Sequence, residues 1–226
     1  MTTQPHALDI RPATRDDIPF LAWCNYEASS PAPGFCYWDA LLEGTNTPTM
    51  QFIEAVFRAD ALAWGRAEDF FIAEADGKSV AGASGFAPDA RDYRPLRLER
   101  LPAVAASLGW TAEMLAQFQH GYERVWSDPL DTTLAPTAPW VIECVAVISE
   151  ARGRGIARQL LRAILDEGKK RGFASAGISV TAGNAPAQRV YEALGFEMVI
   201  TYGAAYFDGA FPGTIKYRLQ LHPLAA

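Results

Sequence analysis

The chain has 226 residues, half of them apolar, with a mean hydropathy near zero and a formal net charge of −6. This composition excludes a disordered chain, and we expect no membrane span and no signal peptide, because the sequence lacks both a long apolar run and a basic segment followed by an apolar block. The acidic balance argues against nucleic acid as the main partner, since phosphate binding needs concentrated Lys and Arg. The three cysteines have no CxxC spacing, so we expect no metal site and a cytoplasmic location.

Residues 1–86 predict a strand, two helices and a β-hairpin. The predicted elements are a strand over residues 8–11, a helix after the N-cap residue Thr14, a helix over residues 50–64, and strands over residues 70–75 and 80–86. The last two strands are joined at Asp76-Gly77, a pair typical of a tight hairpin turn because glycine readily adopts positive φ.

Residues 87–139 interrupt this regular pattern. They are rich in Arg and Pro at first and then predict a helix over residues 111–126. We interpret the segment as an insertion that covers a binding cleft. After it, the sequence predicts strands over residues 141–148, 176–180, 196–202 and 215–221, with helices over residues 154–171 and 187–194. This order indicates a mixed α/β domain.

A turn with two glycines and two arginines, Arg152-Gly153-Arg154-Gly155, follows the strand over residues 141–148 and opens the next helix. The first N–H groups of a helix have no partner within the helix, and the helix dipole places partial positive charge there. Glycine lets a ligand approach the backbone closely, so the turn suits an anion such as a pyrophosphate. It fits neither the P-loop pattern nor GxGxxG. From these residues alone, a purely structural basic turn is the alternative.

The same turn resembles a motif of the GNAT acetyltransferases, R/Q-x-x-G-x-G/A, which in that family also follows a strand and opens a helix. The resemblance implies that backbone amides in the turn hold the pyrophosphate of acetyl-CoA. The residues concerned are Arg152, Gly153, Arg154, Gly155, Ile156 and Ala157.

A second stretch, residues 184–196, resembles the GNAT pattern N-x-x-A-x-x-x-Y-x-x-x-G-F at every named position. Asn184 and Tyr191 lie on one helix face about 10 Å apart, at a rise of ~1.5 Å per residue. The resemblance implies that Asn184 contacts the pantetheine arm and that the Tyr191 hydroxyl lies beside the thioester sulfur. The alternatives are a helix N-cap for Asn184, compatible with the first role, and a packed aromatic for Tyr191.

Glu143 is an acidic residue within an otherwise apolar strand, where a charge must be paired or functional. In the GNAT family a Glu near the middle of the equivalent strand acts as base, often through water, so Glu143 is the candidate general base. A solvent-facing or ion-paired Glu is the alternative. The resemblance further implies that the Val145 N–H stabilises charge on the thioester carbonyl, and that the backbone of the strand binds pantetheine. The strand residues concerned are Val145, Ala146 and Val147.

Tyr191 is the candidate general acid, because a phenol with a pKa of ~10 can protonate a departing thiolate. Cys144 invites a covalent mechanism, but we interpret it as a small buried residue, since no His lies nearby in sequence and the family usually transfers the acetyl group directly.

Together these predictions describe a GNAT fold: a central mixed, mostly antiparallel sheet flanked by helices, with a helical insertion. We expect one domain over residues 1–226, with the acetyl-CoA-binding core at residues 141–200. The predicted function is direct transfer of the acetyl group of acetyl-CoA onto a small primary amine. The alternatives are a protein N-terminus or lysine as acceptor, or a non-catalytic acyl-CoA-binding regulatory module. A homodimer is the expectation taken from the family.

Overall fold

The structure is a computed structural model, and it describes residues 8–32 and 34–221. The strands are β1 (Leu8–Pro12), β2 (Phe70–Ala75), β3 (Lys78–Phe86), β4 (Trp140–Val147), β5 (Ser175–Thr181), β6 (Glu197–Gly203) and β7 (Gly213–Gln220). They form one seven-stranded sheet in the order β1-β2-β3-β4-β5-β7-β6. Only the β4–β5 pair is parallel within this sheet, so the predicted mixed, mostly antiparallel sheet is confirmed.

Helices cover both faces of this sheet. They are α1 (Ile18–Ala28), α2 (Tyr37–Leu42), α3 (Thr49–Arg58), α4 (Leu101–Leu108), α5 (Ala112–Val125), α6 (Ile156–Lys170) and α7 (Ala185–Ala193). One hydrophobic core lies under α1–α5, and a second lies under α6 and α7. None of the helices in the described part of the chain has the length and apolar character that crossing a bilayer requires.

Most predicted elements have counterparts within two or three residues of the expected ends. The hairpin turn is confirmed, because Asp76 and Gly77 have φ values of 53° and 71°, which the tight turn requires. The sequence did not predict α2 or α4. The helix predicted over residues 50–64 is too long, since α3 ends at Arg58.

The chain leaves α3 because Asp60 adopts a left-handed conformation with φ 52°. The next residues are extended and pair with the segment predicted as an insertion: Leu62 bridges Leu96, and the Ala63 N–H donates to the Pro95 carbonyl at 2.7 Å. This pairing joins that segment to the core beside α3.

A β-bulge in β4 positions the residues at the middle of the sheet. Cys144 has φ 57°, and the pairing of β4 with β3 shifts by one residue there: Ser84 faces Glu143, whereas Gly82 faces Ala146. One extra residue in a strand sends the following side chains to the opposite faces. As a result Ile142 packs under α6, whereas Cys144 and Ala146 pack under α1.

Candidate active site

The parallel strands β4 and β5 separate where the bulge begins. They pair only over Trp140–Ile142 and Ala176–Ile178, and β5 then continues with β7 as its ladder partner. From Glu143 onward, the edge of β4 that faces β5 pairs with no strand of the described residues. A cleft of about 710 Å³ opens at this point, lined by residues from both strands, from α1 and α2, and from the 87–139 segment.

Glu143 lines this cleft directly at the bulge. Burial raises the pKa of the Glu143 carboxyl from its ordinary value to about 7, and the nearby positive charge of Lys216 limits the rise. A carboxylate with this pKa can take up and release a proton near neutral pH. Glu143 therefore has the ionisation that a general base needs.

Lys216 is a buried cation that sequence reasoning missed. Its side chain on β7 is 1% exposed, and its Nζ donates to the backbone carbonyls of Thr132, at 3.1 Å, and Ala135. Burial lowers the pKa of Lys216 to about 8, and the negative charges of Glu143 and Asp131 oppose this decrease. Lys216 thus fastens the end of the 87–139 segment to the sheet, close to Glu143.

Tyr191 reaches the same cleft from α7. Its ring is buried and packs edge-on against Tyr217, with centroids 5.9 Å apart. Its hydroxyl forms no hydrogen bond within the described residues. Burial, followed by the negative charge of Glu143, raises the pKa of Tyr191 above its ordinary value, so the phenol keeps its proton at neutral pH. The two predicted catalytic residues therefore share one cleft.

Cys144, the residue after Glu143, has a structural role. Its Sγ accepts a hydrogen bond from Asn25 Nδ2 at 3.4 Å, and Asn25 Oδ1 accepts one from Trp38 Nε1 at 2.7 Å. This buried chain of contacts ties the bulge to α1 and α2. Burial raises the pKa of the Cys144 thiol to about 12, so a reactive thiolate is disfavoured at neutral pH.

The glycine turn before α6 is exposed and has free backbone donors. Gly153 and Gly155 have φ values of 75° and 76°, and Gly155 is the N-cap of α6. No backbone carbonyl in the described part of the chain accepts a hydrogen bond from the N–H groups of residues 153–158. Donors that converge at a helix N-terminus suit a phosphate group, so the turn fits the anion predicted for it.

The two arginines of the turn differ in their contacts. Arg152 Nε donates to the Val147 carbonyl at 2.9 Å, and its Nη2 lies 3.5 Å from the Glu27 carboxylate. Arg154 is exposed and forms no ion pair with the described residues. Arg152 therefore braces the turn against the end of β4, and Arg154 remains available to an anion.

Asn184 is the N-cap of α7, with Oδ1 accepting from the Ala187 N–H at 3.3 Å, and it also lines the cleft. The cleft thus gathers four of the predicted residues: Glu143, Val145, Asn184 and Tyr191. Ala146, Val147 and the glycine turn lie outside its lining, and the Arg152–Glu27 contact places the turn at its edge.

A mixed sheet that opens between its parallel strands, with unpaired N–H donors at a helix start at the rim, is the arrangement expected from the resemblance to the GNAT acetyltransferases. Residues 37–196 match the family model described as the acetyltransferase (GNAT) family. The chain belongs to this family, and its acetyl donor is acetyl-CoA.

Solved acetyltransferase structures share this fold. The ribosomal-protein-S18-alanine N-acetyltransferase from Escherichia coli is 17% identical, with a TM-score of 0.51 over 97% of each chain. YncA from Salmonella typhimurium, a putative acetyltransferase solved with its cofactor acetyl-CoA, is 17% identical, with a TM-score of 0.53 over 97% of each chain. An agmatine N-acetyltransferase is 15% identical, with a TM-score of 0.51 over 95% of this chain and 99% of that chain. None of the curated proteins compared with the chain matches it significantly.

Proposed function

We propose that this protein transfers the acetyl group of acetyl-CoA directly onto a small primary amine. The observation that carries the proposal is that Glu143 and Tyr191 line the same cleft. The Glu143 carboxyl has a pKa of about 7, and the Tyr191 phenol keeps its proton at neutral pH. Acetyl-CoA supplies an acetyl group activated as a thioester. The residues of the chain supply binding, proton transfer and the exclusion of water.

Three parts of the chain suit the donor. The N–H groups of residues 153–157 hold the pyrophosphate, where the glycines leave the backbone accessible, and Arg152 supports the turn, with its own N–H bonded to the Ser149 carbonyl at 3.2 Å. The unpaired edge of β4, at Val145, Ala146 and Val147, hydrogen-bonds the pantetheine amides in the manner of an added strand. Asn184 contacts the same arm from the start of α7 while it caps the helix.

Glu143 and Tyr191 move the protons. Glu143 first takes the extra proton of the ammonium form, directly or through a water molecule, and releases it to solvent, and it then accepts the proton that the amine nitrogen loses as the N–C bond forms. The Val145 N–H donates to the carbonyl oxygen as negative charge develops there. Tyr191 donates its proton to the sulfur as the C–S bond breaks, and the thiol leaves. Solvent then returns the proton from Glu143 to Tyr191.

The shape of the cleft favours a small acceptor over a protein chain. The segment over residues 87–139, which we retain as an insertion within a single domain, contributes Pro95, Trp126, Asp131 and Leu134 to its lining. A segment outside the predicted acetyl-CoA-binding core thus forms part of the cleft wall. The solved neighbours do not decide the acceptor, because they include a protein-alanine and an agmatine acetyltransferase.

The test is CoA release from acetyl-CoA with a panel of small primary amines and, in parallel, with peptides that present a free N-terminus or a lysine. We expect turnover with small amines and little with peptides. Faster turnover with peptides would show a protein acceptor instead. Acetyl-CoA at about 100 times its Kd should stabilise the fold by ~2.7 kcal/mol. Unfolding measurements with and without it therefore establish donor binding separately.

Tyr191→Phe should lower kcat about 100-fold and leave the KM for acetyl-CoA within about twofold, because it removes the proton donor but keeps the buried ring. Steady-state kinetics with saturating amine measure both constants. Tyr217→Phe is the matched control, since Tyr217 packs against Tyr191 and its hydroxyl contacts Glu192 at 3.4 Å outside the cleft. Wild-type kcat in Tyr191→Phe would assign Tyr191 a packing role.

We also propose a cytoplasmic homodimer. The buried free cysteines Cys24, Cys36 and Cys144 support a reducing compartment. The edge strand β6 supports a dimer, because it exposes three consecutive apolar side chains, Met198, Val199 and Ile200. An exposed apolar edge strand is prone to pair with another chain.

Met198→Lys should convert the dimer to a monomer, because Met198 is 63% exposed on this edge and a lysine there opposes strand pairing. Light scattering after gel filtration distinguishes twice the chain mass of 24.6 kDa from a single mass. Leu130→Lys is the control, since Leu130 is an exposed apolar residue in the 87–139 segment. A wild-type monomer, or a Met198→Lys dimer, would contradict the assignment.

A further inference from the structure

The charged side chains that line the cleft are all acidic in the part of the chain that the structure describes: Glu27, Asp131 and Glu143. Glu27 is in an ion pair with Arg152 at 3.5 Å, and the proposed chemistry uses Glu143. Asp131 has neither role. It places in the cleft a carboxylate that neither donor binding nor proton transfer requires.

The turn that carries Asp131 is held in place. Asp131 Oδ1 accepts from the Thr133 N–H at 2.7 Å, and its backbone carbonyl accepts from the N–H groups of Leu134 and Ala135, both at 2.9 Å. Asp131 Oδ2 forms no hydrogen bond or ion pair with the described residues. One carboxylate oxygen therefore fixes the turn and the other remains available to a ligand.

The buried ammonium of Lys216 fixes the same turn from behind, through its bonds to the Thr132 and Ala135 carbonyls. Burying a lysine costs free energy unless its charge has hydrogen-bond partners. The two carbonyls are such partners, and their bonds to the ammonium hold the turn in place. Lys216 and Asp131 attract each other electrostatically, but within the described residues Lys216 forms no ion pair within 4.0 Å and is not among the residues that line the cleft. The result is a rigidly presented carboxylate.

Aromatic rings from separate segments line the same cleft. Tyr37 on α2 lies 5.8 Å from Trp126 after α5 and 6.5 Å from Phe211 before β7, measured between ring centroids. All three rings are partly exposed, and within the described residues neither the Tyr37 hydroxyl nor the indole Nε1–H of Trp126 forms a hydrogen bond. We name these three residues the aromatic wall. Ring faces in a cleft that also holds a carboxylate can attract an organic cation.

We infer that Asp131 and the aromatic wall form a second cation subsite, so the acceptor is a small diamine or another primary amine with a second positively charged group. This inference rests on the proposed function, because Glu143 must take the proton of the amine that reacts. The second group stays charged, faces the wall and pairs with Asp131 Oδ2. An anionic acceptor would meet carboxylates without a lining cation, and a purely apolar amine would leave Asp131 unpaired.

The experiment compares amines of matched length as acceptors: 1,5-diaminopentane, 1-aminopentane and 5-aminopentanoate, with 2-phenylethylamine as the aromatic probe. The wild-type protein should acetylate the diamine with a kcat/KM about tenfold above that of 1-aminopentane, and 5-aminopentanoate should be the poorest. Equal values for the diamine and 1-aminopentane would overturn the inference. A preference for 2-phenylethylamine would overturn it as well, by assigning the wall to an apolar ring.

Asp131→Asn keeps the size and the bond to the Thr133 N–H but removes the charge. It should lower kcat/KM for the diamine about tenfold and change that for 1-aminopentane less than twofold. Asp128→Asn is the matched control, because Asp128 makes a similar turn contact, to the Leu130 N–H at 2.8 Å, and is exposed outside the cleft. Phe211→Leu should lower the diamine preference about threefold through the lost ring face.

The outcomes distinguish a failure of the cation subsite from a failure of the proposed small-amine function. If diamines are acetylated equally well by the wild-type protein and Asp131→Asn, the subsite is wrong and the small-amine function stands. If acetyl-CoA stabilises the fold but no amine in the panel is acetylated, the small-amine function is wrong and the subsite falls with it.

Discussion

Glu143→Gln should lower kcat/KM for the acceptor amine at pH 7 by about 100-fold or more, because proton removal by a positioned base contributes roughly 10²–10⁴-fold. An alkylamine with a pKa of ~10.4 is mostly protonated at this pH and needs a base to become a nucleophile. At alkaline pH the amine loses its proton to solvent. The variant should therefore recover part of its activity there, whereas at neutral pH it should remain slow.

The pH profile of the wild-type protein provides the second readout. Since burial raises the pKa of Glu143 to about 7, activity should rise with pH through a limb centred near 7. This limb should be absent in Glu143→Gln. A variant with wild-type activity and an unchanged profile would exclude Glu143 as the base and would favour water or another carboxylate.

Lys216→Met also tests the assignment of Glu143 as the base, because it removes the positive charge near the Glu143 carboxyl. Lys216 lowers the pKa of Glu143 by stabilising the carboxylate, so its loss should move the acidic limb to higher pH. Lys169→Met is the control, because Lys169 lies on α6 and pairs with Asp166 at 3.1 Å. The midpoint of the limb, rather than the absolute rate, is the decisive measurement, since removal of Lys216 also loosens the turn that it fastens.

Stability measurements show whether the Gln substitution disturbs the fold. A carboxyl whose pKa is raised from 4.5 to about 7 binds its proton more tightly in the folded state. Its contribution to stability is complete below pH 4.5 and is lost as pH rises through 7. Glutamine does not titrate, so the variant has no such loss of stability as the pH rises. At pH 8 the variant should therefore unfold at the same temperature as the wild-type protein or a higher one, and low activity cannot then be attributed to unfolding.

The parts of the site that the sequence predicted are those encoded by local spacing. The glycine turn lies between a strand and a helix that follow each other directly, and its role depends on backbone conformation that glycine makes accessible. Asn184 and Tyr191 lie on one helix at a fixed rise per residue. A single stretch of sequence contains all the information that these predictions require.

The residues of the proposed cation subsite could not be predicted from local spacing in the same way. Lys216 and Asp131 approach each other because β7 and the end of the 87–139 segment meet across the sheet, a contact between residues far apart in sequence. A lysine in an alternating strand suggests an exposed face, and here the carbonyls of Thr132 and Ala135 make its burial tolerable. The aromatic wall likewise needs three separate segments.

The bulge at Cys144 could not be predicted from the local sequence pattern either. A β-branched, apolar run predicts a regular buried strand, and cysteine with φ 57° is not a residue that signals a bulge. The conformation is retained because Asn25 on α1 holds the cysteine sulfur at 3.4 Å. The predicted strand was therefore right in extent, whereas the bulge next to Glu143 depends on tertiary contacts.

Gly155→Asp should raise the Kd for acetyl-CoA about 100-fold or more, equal to ~2.7 kcal/mol, because it places a carboxylate beside the N–H groups that receive the pyrophosphate. A Cβ at this position meets no heavy atom of the described residues within 4 Å beyond its chain neighbours, so the effect does not come from a clash at the Cβ. Gly155 has φ 76°, however, which costs any other residue some stability.

Gly155→Asn separates the charge from the backbone cost. Asparagine has nearly the same size as aspartate and tolerates positive φ, but carries no charge. We expect this variant to bind acetyl-CoA within about tenfold of the wild-type protein. The further loss in Gly155→Asp should shrink as ionic strength rises, since exposed charges are screened. Equal affinity in both variants at low salt would show that the turn before α6 does not bind the phosphates of the donor.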